Sequence, residues 1–184
     1  ISTASSSKFM SPDIVKACLR EDYLNPFPDV LTVGDDPNDK AQYYNFFNIN
    51  NIPSELKSKP LFVHLDMSLT GDMTGISAVA VLGYKNQERF DDTGETNTLK
   101  EIVFRHVFSV GLQCPPNDEL SMIKVKDFLH YLKFELGWNI VGVSCDGYQS
   151  LMLLQSLKID GFDAKEVPMD IVNTKSKECV GYTT

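Results

Sequence analysis

Two aspartates are the residues of this chain best suited to metal chemistry, because each lies in or at the end of an apolar run. Asp66 lies in the run 61–69, and Asp146 ends the run 139–146. A carboxylate in an apolar strand is costly when buried, unless a cation or hydrogen-bond donors meet it. Two facing carboxylates repel, so one must bind a proton or both must share a cation. Oxygen ligands without a nearby Cys or His cluster favour Mg²⁺ or Mn²⁺, and two such ions can activate a water for phosphoryl displacement.

The residues around the two acids have competing interpretations. Asp146 can simply be the N-cap of the helix that follows it, with no metal role. Asp72 in TGDMTG is a weaker candidate metal ligand, since an aspartate in such a run is most often a turn residue. Thr70, Gln149 and Ser150 are candidate substrate-binding residues. Hydrogen bonding at a helix start explains Gln149 and Ser150 equally well.

One histidine and three lysines are further candidates for contact with a ligand. His64 shares a strand face with Asp66 and could hydrogen-bond a metal ligand, although a structural or surface role is the default interpretation. Lys124, Lys126 and Lys133 lie on one predicted helix and could contact DNA. A solvated helix face is the default interpretation of these lysines.

The spacing of apolar residues predicts the elements that position the acids. Apolar residues alternate over 61–69, which is the period of a strand, and GISAVAVLGYK and LKEIVFRHVFSVGL predict two more strands around the polar loop NQERFDDTGETN. Short connections make these three strands an antiparallel meander. Next come a helix over 120–136 closed by Gly137, the strand NIVGVSCD, a helix over 147–158 closed by Gly161, and a short strand in FDAKEVPMD.

The predicted fold is therefore α/β. A mixed sheet is expected in which a three-strand antiparallel meander is followed by αβαβ units, with the helices packed on the sheet. A crossover of this kind places the fourth strand beside the first, which would bring Asp66 next to Asp146.

Residues 1–59 are less regular and are predicted to be a connector or N-terminal arm before a folded domain over 60–184. Ser11 and Pro12 are typical of a helix start, so a short helix is predicted over 12–20. NPFPDVLTVGDDPNDK predicts a loop, because its prolines and aspartates disfavour regular structure. The aromatic run AQYYNFFNINNIP is expected to pack on the domain rather than to form an interface.

Charge and composition restrict the classes of function. The chain has 184 residues and a net charge of −8, whereas nucleic-acid binding usually shows as a basic surface. Carboxylates that hold divalent metals nevertheless count as negative until the metals bind. The four cysteines form no C-x-x-C pair, which argues against a zinc ribbon and suits a reducing cytoplasm. Without a signal peptide or an apolar run of membrane length, we expect a protein that is neither secreted nor membrane-bound.

Two blocks of the sequence resemble the nuclease domain of phage terminase large subunits, the DNA-packaging motors of tailed phages. HLDMSLTGDMTGISAVAV resembles the first strand and turn of that family. ELSMIKVKDFLHYLKFELGWNIVGVSCDGYQSLMLLQSLKIDGFDAKEV resembles its helix, its second acidic strand and the helix that follows. The blocks occur in the order of the family and together cover about residues 60–170.

The resemblance implies an RNase H-like fold and a metal-dependent endonuclease that cuts concatemeric double-stranded DNA into genome lengths. It makes Asp66 the first-strand ligand and Asp146 the second acid of a site for two Mg²⁺ or Mn²⁺ ions. The family has a third acid on a helix further downstream of the second. In this chain the tail NTKSKECVGYTT shows no such motif, and Asp170 comes too early in the sequence to match it. The third acid is therefore expected outside this chain, which then looks truncated at its C-terminus.

The implied partners are double-stranded DNA, the terminase ATPase domain in the same parent chain, the portal and the small terminase subunit, all in the host cell cytoplasm. The chain has no G-x-x-x-x-G-K-[ST] phosphate loop and cannot itself be the motor.

Two rival functions remain open from the sequence. An actin-like ATP-binding domain also begins with an Asp-bearing strand and a Gly/Thr turn, but it needs a second phosphate-binding turn, which is not evident here. A non-cleaving RNase H-like module that docks on DNA or on the packaging machinery would retain both acids without a third.

Overall fold

The structure, a computed structural model, describes residues 16, 24–28, 30–32, 41–68, 73–90, 96–113, 119–146 and 150–167. These residues contain six strands: β1 (Val30–Thr32), β2 (Leu61–Asp66), β3 (Thr74–Phe90), β4 (Thr96–Gln113), β5 (Ile140–Asp146) and β6 (Ala164–Glu166). Two α-helices follow the meander, α1 (Met122–His130) and α2 (Leu151–Ile159). No helix in the described ranges is both long and apolar enough to cross a membrane.

The strands form one mixed sheet in the order β1-β4-β3-β2-β5-β6. β3 pairs antiparallel with both β2 and β4, whereas β5 pairs parallel with β2 and β6 pairs parallel with β5. The predicted α/β class, the antiparallel meander and the placement of β5 beside β2 are therefore confirmed.

Alternation along β2 decides which face of the sheet carries the core. Leu61, Val63 and Leu65 are buried, whereas Phe62 and Asp66 are exposed. Apolar side chains of both helices belong to the core cluster that contains these buried strand residues: Val125, Phe128 and Leu129 of α1, and Leu153, Leu154 and Leu157 of α2. The helices thus cover one face of β2 and leave the face with Asp66 open in the described part of the chain.

Both helices end at the predicted glycines. α1 continues through one π-helical stretch, Tyr131–Glu135, before Gly137 turns the chain with φ 68°. After α2, Gly161 has φ 84°. These positive φ angles are unfavourable for residues with a Cβ, which explains why glycine stands at both positions.

The structure differs from the predicted hairpin loop over 86–97. β3 and β4 remain paired as far as Phe90 and Thr96, so most of the predicted loop is a two-stranded ribbon. An ion pair across the ribbon, with Lys85 Nζ 3.8 Å from Glu101 Oε2, is a cross-strand contact of the kind that stabilises such pairs. Polar composition predicted a loop, but polar residues are compatible with a ribbon exposed on both faces.

The predicted loop over 25–40 contains a strand. β1 pairs parallel with the end of β4, in the register Leu31↔Leu112, and Leu31 is buried. The helix predicted over 12–20 lies outside the described residues except for Lys16, which is helical.

The aromatic arm packs on the domain, as predicted. It consists of three short 3₁₀ helices, Tyr43–Phe46, Ile49–Asn51 and Ser54–Leu56. Aromatic side chains of this arm and of the segment before it pack against those of β4, α1 and the segment before β5. Their ring centroids lie 5.0–5.8 Å apart, and the residues are Phe27, Phe47, Phe108, Phe128 and Trp138. The core therefore includes side chains from both sides of residue 60.

Candidate functional site

The two predicted acids are brought together at the ends of β2 and β5. Asp66 is in register with Asp146, and each is the last residue of its strand. Neighbouring strands lie about 4.8 Å apart, and residues in register on parallel strands project from the same face. Asp146 therefore belongs to the sheet. The described part of α2 begins after Ser150, whose side chain makes no capping hydrogen bond, and the residues between Asp146 and Ser150 lie outside the described ranges, so capping by Asp146 stays an open interpretation.

The environment of Asp66 differs from the expectation of a buried carboxylate. Asp66 is exposed and Asp146 is half-buried, because β2 turns only its alternate face towards the core. No side chain among the described residues forms a hydrogen bond or ion pair with the Asp66 carboxylate. Solvent can thus stabilise its charge, and burial alone does not require a cation at this position.

Both acids line an open cleft of about 610 Å³. The cleft lies on the open face of the sheet and extends from β5 across β2 and β3 to β4. Polar side chains on its walls come from several elements: Asn25, His64, Ser77 and Ser109. The acids are therefore accessible to an extended ligand that lies across the strands.

The register of four strands arranges the floor of this cleft in two rows. The acid row runs Asp146, Asp66, Gly75 and Gly111 across β5, β2, β3 and β4. A Cβ built on Gly75 would lie 3.8 Å from the Cβ of Asp66, so the absence of a side chain here leaves open space directly beside the acid. The floor next to the carboxylates is therefore backbone.

The second row, one pleat away, is polar. It runs Ser144, His64, Ser77 and Ser109 across the same four strands. His64 Nδ1 lies 2.9 Å from Ser144 Oγ, which also approaches the carbonyl oxygen of Val63 at 3.5 Å. The His64 ring is thereby linked to the strand that carries Asp146.

At the far wall, two residues hold Ser109. The Asn25 side chain donates to the Ser109 carbonyl at 2.7 Å and accepts from its amide at 3.2 Å. His106 Nε2 lies 2.7 Å from Ser109 Oγ. Desolvation lowers the pKa of His106, and a hydrogen bond with the backbone of Phe108 opposes that shift.

Thr74 and Ser68 are joined by hydrogen bonds at the junction of β2 and β3. The Thr74 hydroxyl accepts from the Ser68 amide at 2.8 Å and donates to the Ser68 carbonyl at 2.7 Å. Thr74 is fully buried. This reciprocal pair brings the start of β3 against the end of β2 and so positions Gly75 beside Asp66.

Of the predicted substrate-binding residues, only Ser150 lies in the described part of the chain. Ser150 is fully buried and its side chain hydrogen-bonds Cys145, so its hydroxyl serves the core rather than the cleft surface. Burial raises the pKa of the Cys145 thiol to about 12, opposed in part by that hydrogen bond, which leaves the thiol unreactive at neutral pH. Thr70, Gln149 and the weaker metal candidate Asp72 lie outside the described residues, and their roles stay predictions.

The candidate DNA-binding lysines are engaged within the protein. Lys126 Nζ lies 3.0 Å from Asp160 Oδ2, and Lys133 Nζ donates to the Gly161 carbonyl at 2.7 Å. The default interpretation of a solvated lysine face is also inexact. Lys126 and Lys133 join α1 and the π-helical stretch to the segment after α2, and Lys124 is buried.

The sequence analysis did not identify Asn25, which lines the cleft, or Ser144, which contacts the cleft residue His64. Ser144 stands two residues before Asp146, as His64 stands two residues before Asp66, and this matched spacing on two predicted strands could have indicated a second polar row. Asn25 had no such signal, because its partner Ser109 is 84 positions away.

The donor set fits part of a site for Mg²⁺ or Mn²⁺. Two carboxylates on adjacent strand ends supply the hard oxygen ligands that these ions prefer. Within the described ranges, no group of three or more His, Cys, Asp and Glu side chains is placed to hold a metal ion. Asp66 and Asp146 could thus supply two ligands of such a site, and further ligands would have to come from substrate, water or other residues.

Comparison of the chain with protein-family models, curated proteins and solved structures finds no match in any of the three.

Proposed function

We propose that this chain is the nuclease domain of a tailed-phage terminase large subunit, with an RNase H-like fold, and that it hydrolyses phosphodiester bonds of concatemeric double-stranded DNA. The observation that carries the proposal is the pairing of Asp66 with Asp146 at the ends of adjacent parallel strands. The order of the sheet supports it, because an antiparallel meander precedes the parallel units.

Asp66 and Asp146 would hold two Mg²⁺ or Mn²⁺ ions on the open face of the sheet. Such ions, when bound, supply a water of lowered pKa and neutralise charge on the phosphate. The chain contributes two carboxylates fixed on strand ends, which positions them more rigidly than loop residues would be. The bare backbone at Gly75 leaves room for a DNA backbone beside them.

The proposal extends to the partners that the resemblance implies. These are double-stranded DNA, an ATPase domain in the same parent chain, the portal and the small terminase subunit, in the host cell cytoplasm. Since Lys126 and Lys133 are engaged within the fold, attraction of DNA by these two lysines is not part of the proposal.

Plasmid nicking in the presence of Mn²⁺ or Mg²⁺ tests the proposed activity. The chain is assayed both alone and extended past Thr184, because the resemblance places a third acid downstream. We expect cleavage that requires the metal and falls at least a hundredfold in Asp66→Asn and Asp146→Asn. Asp163→Asn is the matched control, because Asp163 is an exposed acid whose described partner is the exposed Lys165.

Cleavage that persists in both acid variants, or that needs no metal, would contradict the proposal. Calorimetric titration with Mn²⁺ distinguishes the nuclease from the non-cleaving module of the sequence analysis. In that module the two acids converge without a third, and the protein docks without cutting. Mn²⁺ binding that depends on both acids, with no cleavage by the extended chain, would favour this docking module.

A further inference from the structure

His64 lines the cleft, and the proposed function of the acid pair gives it no role. It lies two residues before Asp66 on β2, and both side chains line the cleft. Alternate residues of a strand project from one face about 6.6 Å apart. The imidazole therefore stands beside the carboxylate on the same face of β2 and lines the same cleft.

Ser144 fixes the orientation of this ring. It is in register with His64 on β5, and its Oγ lies 2.9 Å from Nδ1. No hydrogen bond joins Nε2 to another residue in the described part of the chain. The ring is half-buried. Its Nδ1 contacts Ser144 on β5, which leaves Nε2 as the ring nitrogen that can bind a ligand.

The two carboxylates repel a phosphodiester unless metal ions neutralise them, so a hydrogen-bond donor beside the acids favours its binding. Among the described residues that line the cleft, His64 alone carries a basic side chain. Asn25 could also donate, but both ends of its amide are engaged by the Ser109 backbone. Ser77 also lines the cleft beside His64 and its hydroxyl can donate. The imidazole is the longer of these two side chains and extends further from the sheet, so it is the donor better placed to contact a phosphate oxygen.

We propose that His64 is a substrate-binding residue that donates from Nε2 to a phosphate oxygen of DNA lying across the strand ends, with the Ser144 hydroxyl donating to Nδ1 so that the ring carries its proton on Nε2. This inference rests on the proposed nuclease function and specifies how the chain recognises its substrate. The competing interpretation is that the His64–Ser144 contact only fastens β2 to β5.

Two replacements of His64 separate these interpretations. The amide of Asn can occupy the position of Nδ1 and keep the contact with Ser144, but it does not reach the position of Nε2. The amide of Gln can occupy the position of Nε2 and donate to a phosphate, but it is poorly placed to contact Ser144. A fastening role predicts that His64→Asn is mild, and a phosphate contact predicts that His64→Gln is mild.

The test is the affinity of the protein for a short fluorescent DNA duplex, measured with Ca²⁺ so that binding is observed without hydrolysis. We expect His64→Asn to weaken binding roughly tenfold or more, as loss of a hydrogen bond to a charged group does, and His64→Gln to stay within about threefold of wild type. Ser144→Ala should weaken binding by a smaller factor. His130→Gln is the matched control, because His130 Nε2 bonds Asp160 away from the cleft.

Each other outcome is decisive. Equal weakening by His64→Asn and His64→Gln, or full affinity in His64→Asn, would overturn the phosphate contact. If the His64 variants bind as wild type while Asp66→Asn abolishes nicking in Mn²⁺, the nuclease proposal stands and the role of His64 falls. A wild-type protein that neither nicks nor binds the duplex would overturn both.

Discussion

At the scale of single residues, Asp160 shows how the fold uses charge away from the cleft. Its carboxylate accepts from Lys126 Nζ at 3.0 Å and from His130 Nε2 at 2.9 Å. The hydrogen bond from Lys126, followed by that from His130, lowers the pKa of Asp160 below its ordinary value of 3.8. One carboxylate after α2 thus joins two positions of α1.

Asp160→Asn should lower the melting temperature in a pH-dependent manner. Because the pKa of Asp160 is depressed in the folded state, its stabilisation is fully present above 3.8 and is lost as the pH falls through the lower folded-state pKa. The difference in melting temperature between wild type and variant should be fully present at about pH 5 and shrink in more acidic buffer. Differential scanning calorimetry across this range measures it.

Asp163→Asn provides the comparison for this experiment, because the Asp163–Lys165 ion pair is exposed on both sides. A melting-temperature difference for Asp160→Asn that did not shrink in acid would contradict the role assigned to its charge.

The positions of the two acids were predictable from the sequence, because they depended on local pattern. Asp66 and Asp146 each end a strand that apolar residues mark clearly, and the crossover rule made those strands neighbours. The exposure of Asp66 was harder to predict, since it depends on which face the helices cover. Asn25 and Ser109 meet only through the folded chain, so no local pattern indicated their contact.

At the scale of elements, the junction of β2 and β3 depends on Thr74. Its hydroxyl is both donor and acceptor for the backbone of Ser68, and it is fully buried. The hydrogen bonds between Thr74 and Ser68 lie next to the register pair of Asp66 and Gly75, so they help to hold the Gly75 backbone opposite Asp66.

Thr74→Val, which keeps the shape of the side chain, should destabilise the fold by about 1–2 kcal/mol because both hydrogen bonds to Ser68 are lost. Urea denaturation followed by circular dichroism measures the change. Thr98→Val is the control, because Thr98 is exposed on the ribbon. If the two variants were equally stable, the hydroxyl of Thr74 would not be what stabilises the junction of β2 and β3.

Element type was predicted well where periodicity was strong and poorly where composition was the only guide. β2, β5 and the two helices follow their apolar spacing. The outer part of the β3–β4 ribbon is polar, and its pairing depends on contacts between strands that a single-strand pattern does not show.

At the scale of the whole molecule, the N-terminal arm is part of the core. Phe47 contacts Phe27 of the same region and also Phe108, Phe128 and Trp138. Its side chain is 8% exposed, whereas the preceding Phe46 is 42% exposed. The predicted domain limit at residue 60 therefore falls between residues that share one cluster, because long-range packing leaves no local mark in the sequence.

Phe47→Ala should destabilise the fold by about 3–5 kcal/mol, as removal of a buried aromatic ring does, and Phe46→Ala by less than about 1 kcal/mol. Denaturation followed by circular dichroism and by the fluorescence of Trp138, the single tryptophan, measures both. If Phe46→Ala lowered the free energy of unfolding as much as Phe47→Ala, packing of Phe47 in the aromatic cluster would not be what makes the arm stabilise the fold.

The register between β2 and β5 also determines which misfolded forms the chain can adopt. A slip of one residue would turn Cys145 outward and press the Asp146 carboxylate into the apolar layer beneath the sheet. Because burial of an unpaired carboxylate is strongly unfavourable, the conformer with the slipped register has a higher free energy than the native one. The register that buries the apolar side chains of β2 and β5 is therefore the same register that places Asp66 beside Asp146. Burial of the apolar layer thus favours the geometry of the acid pair above it.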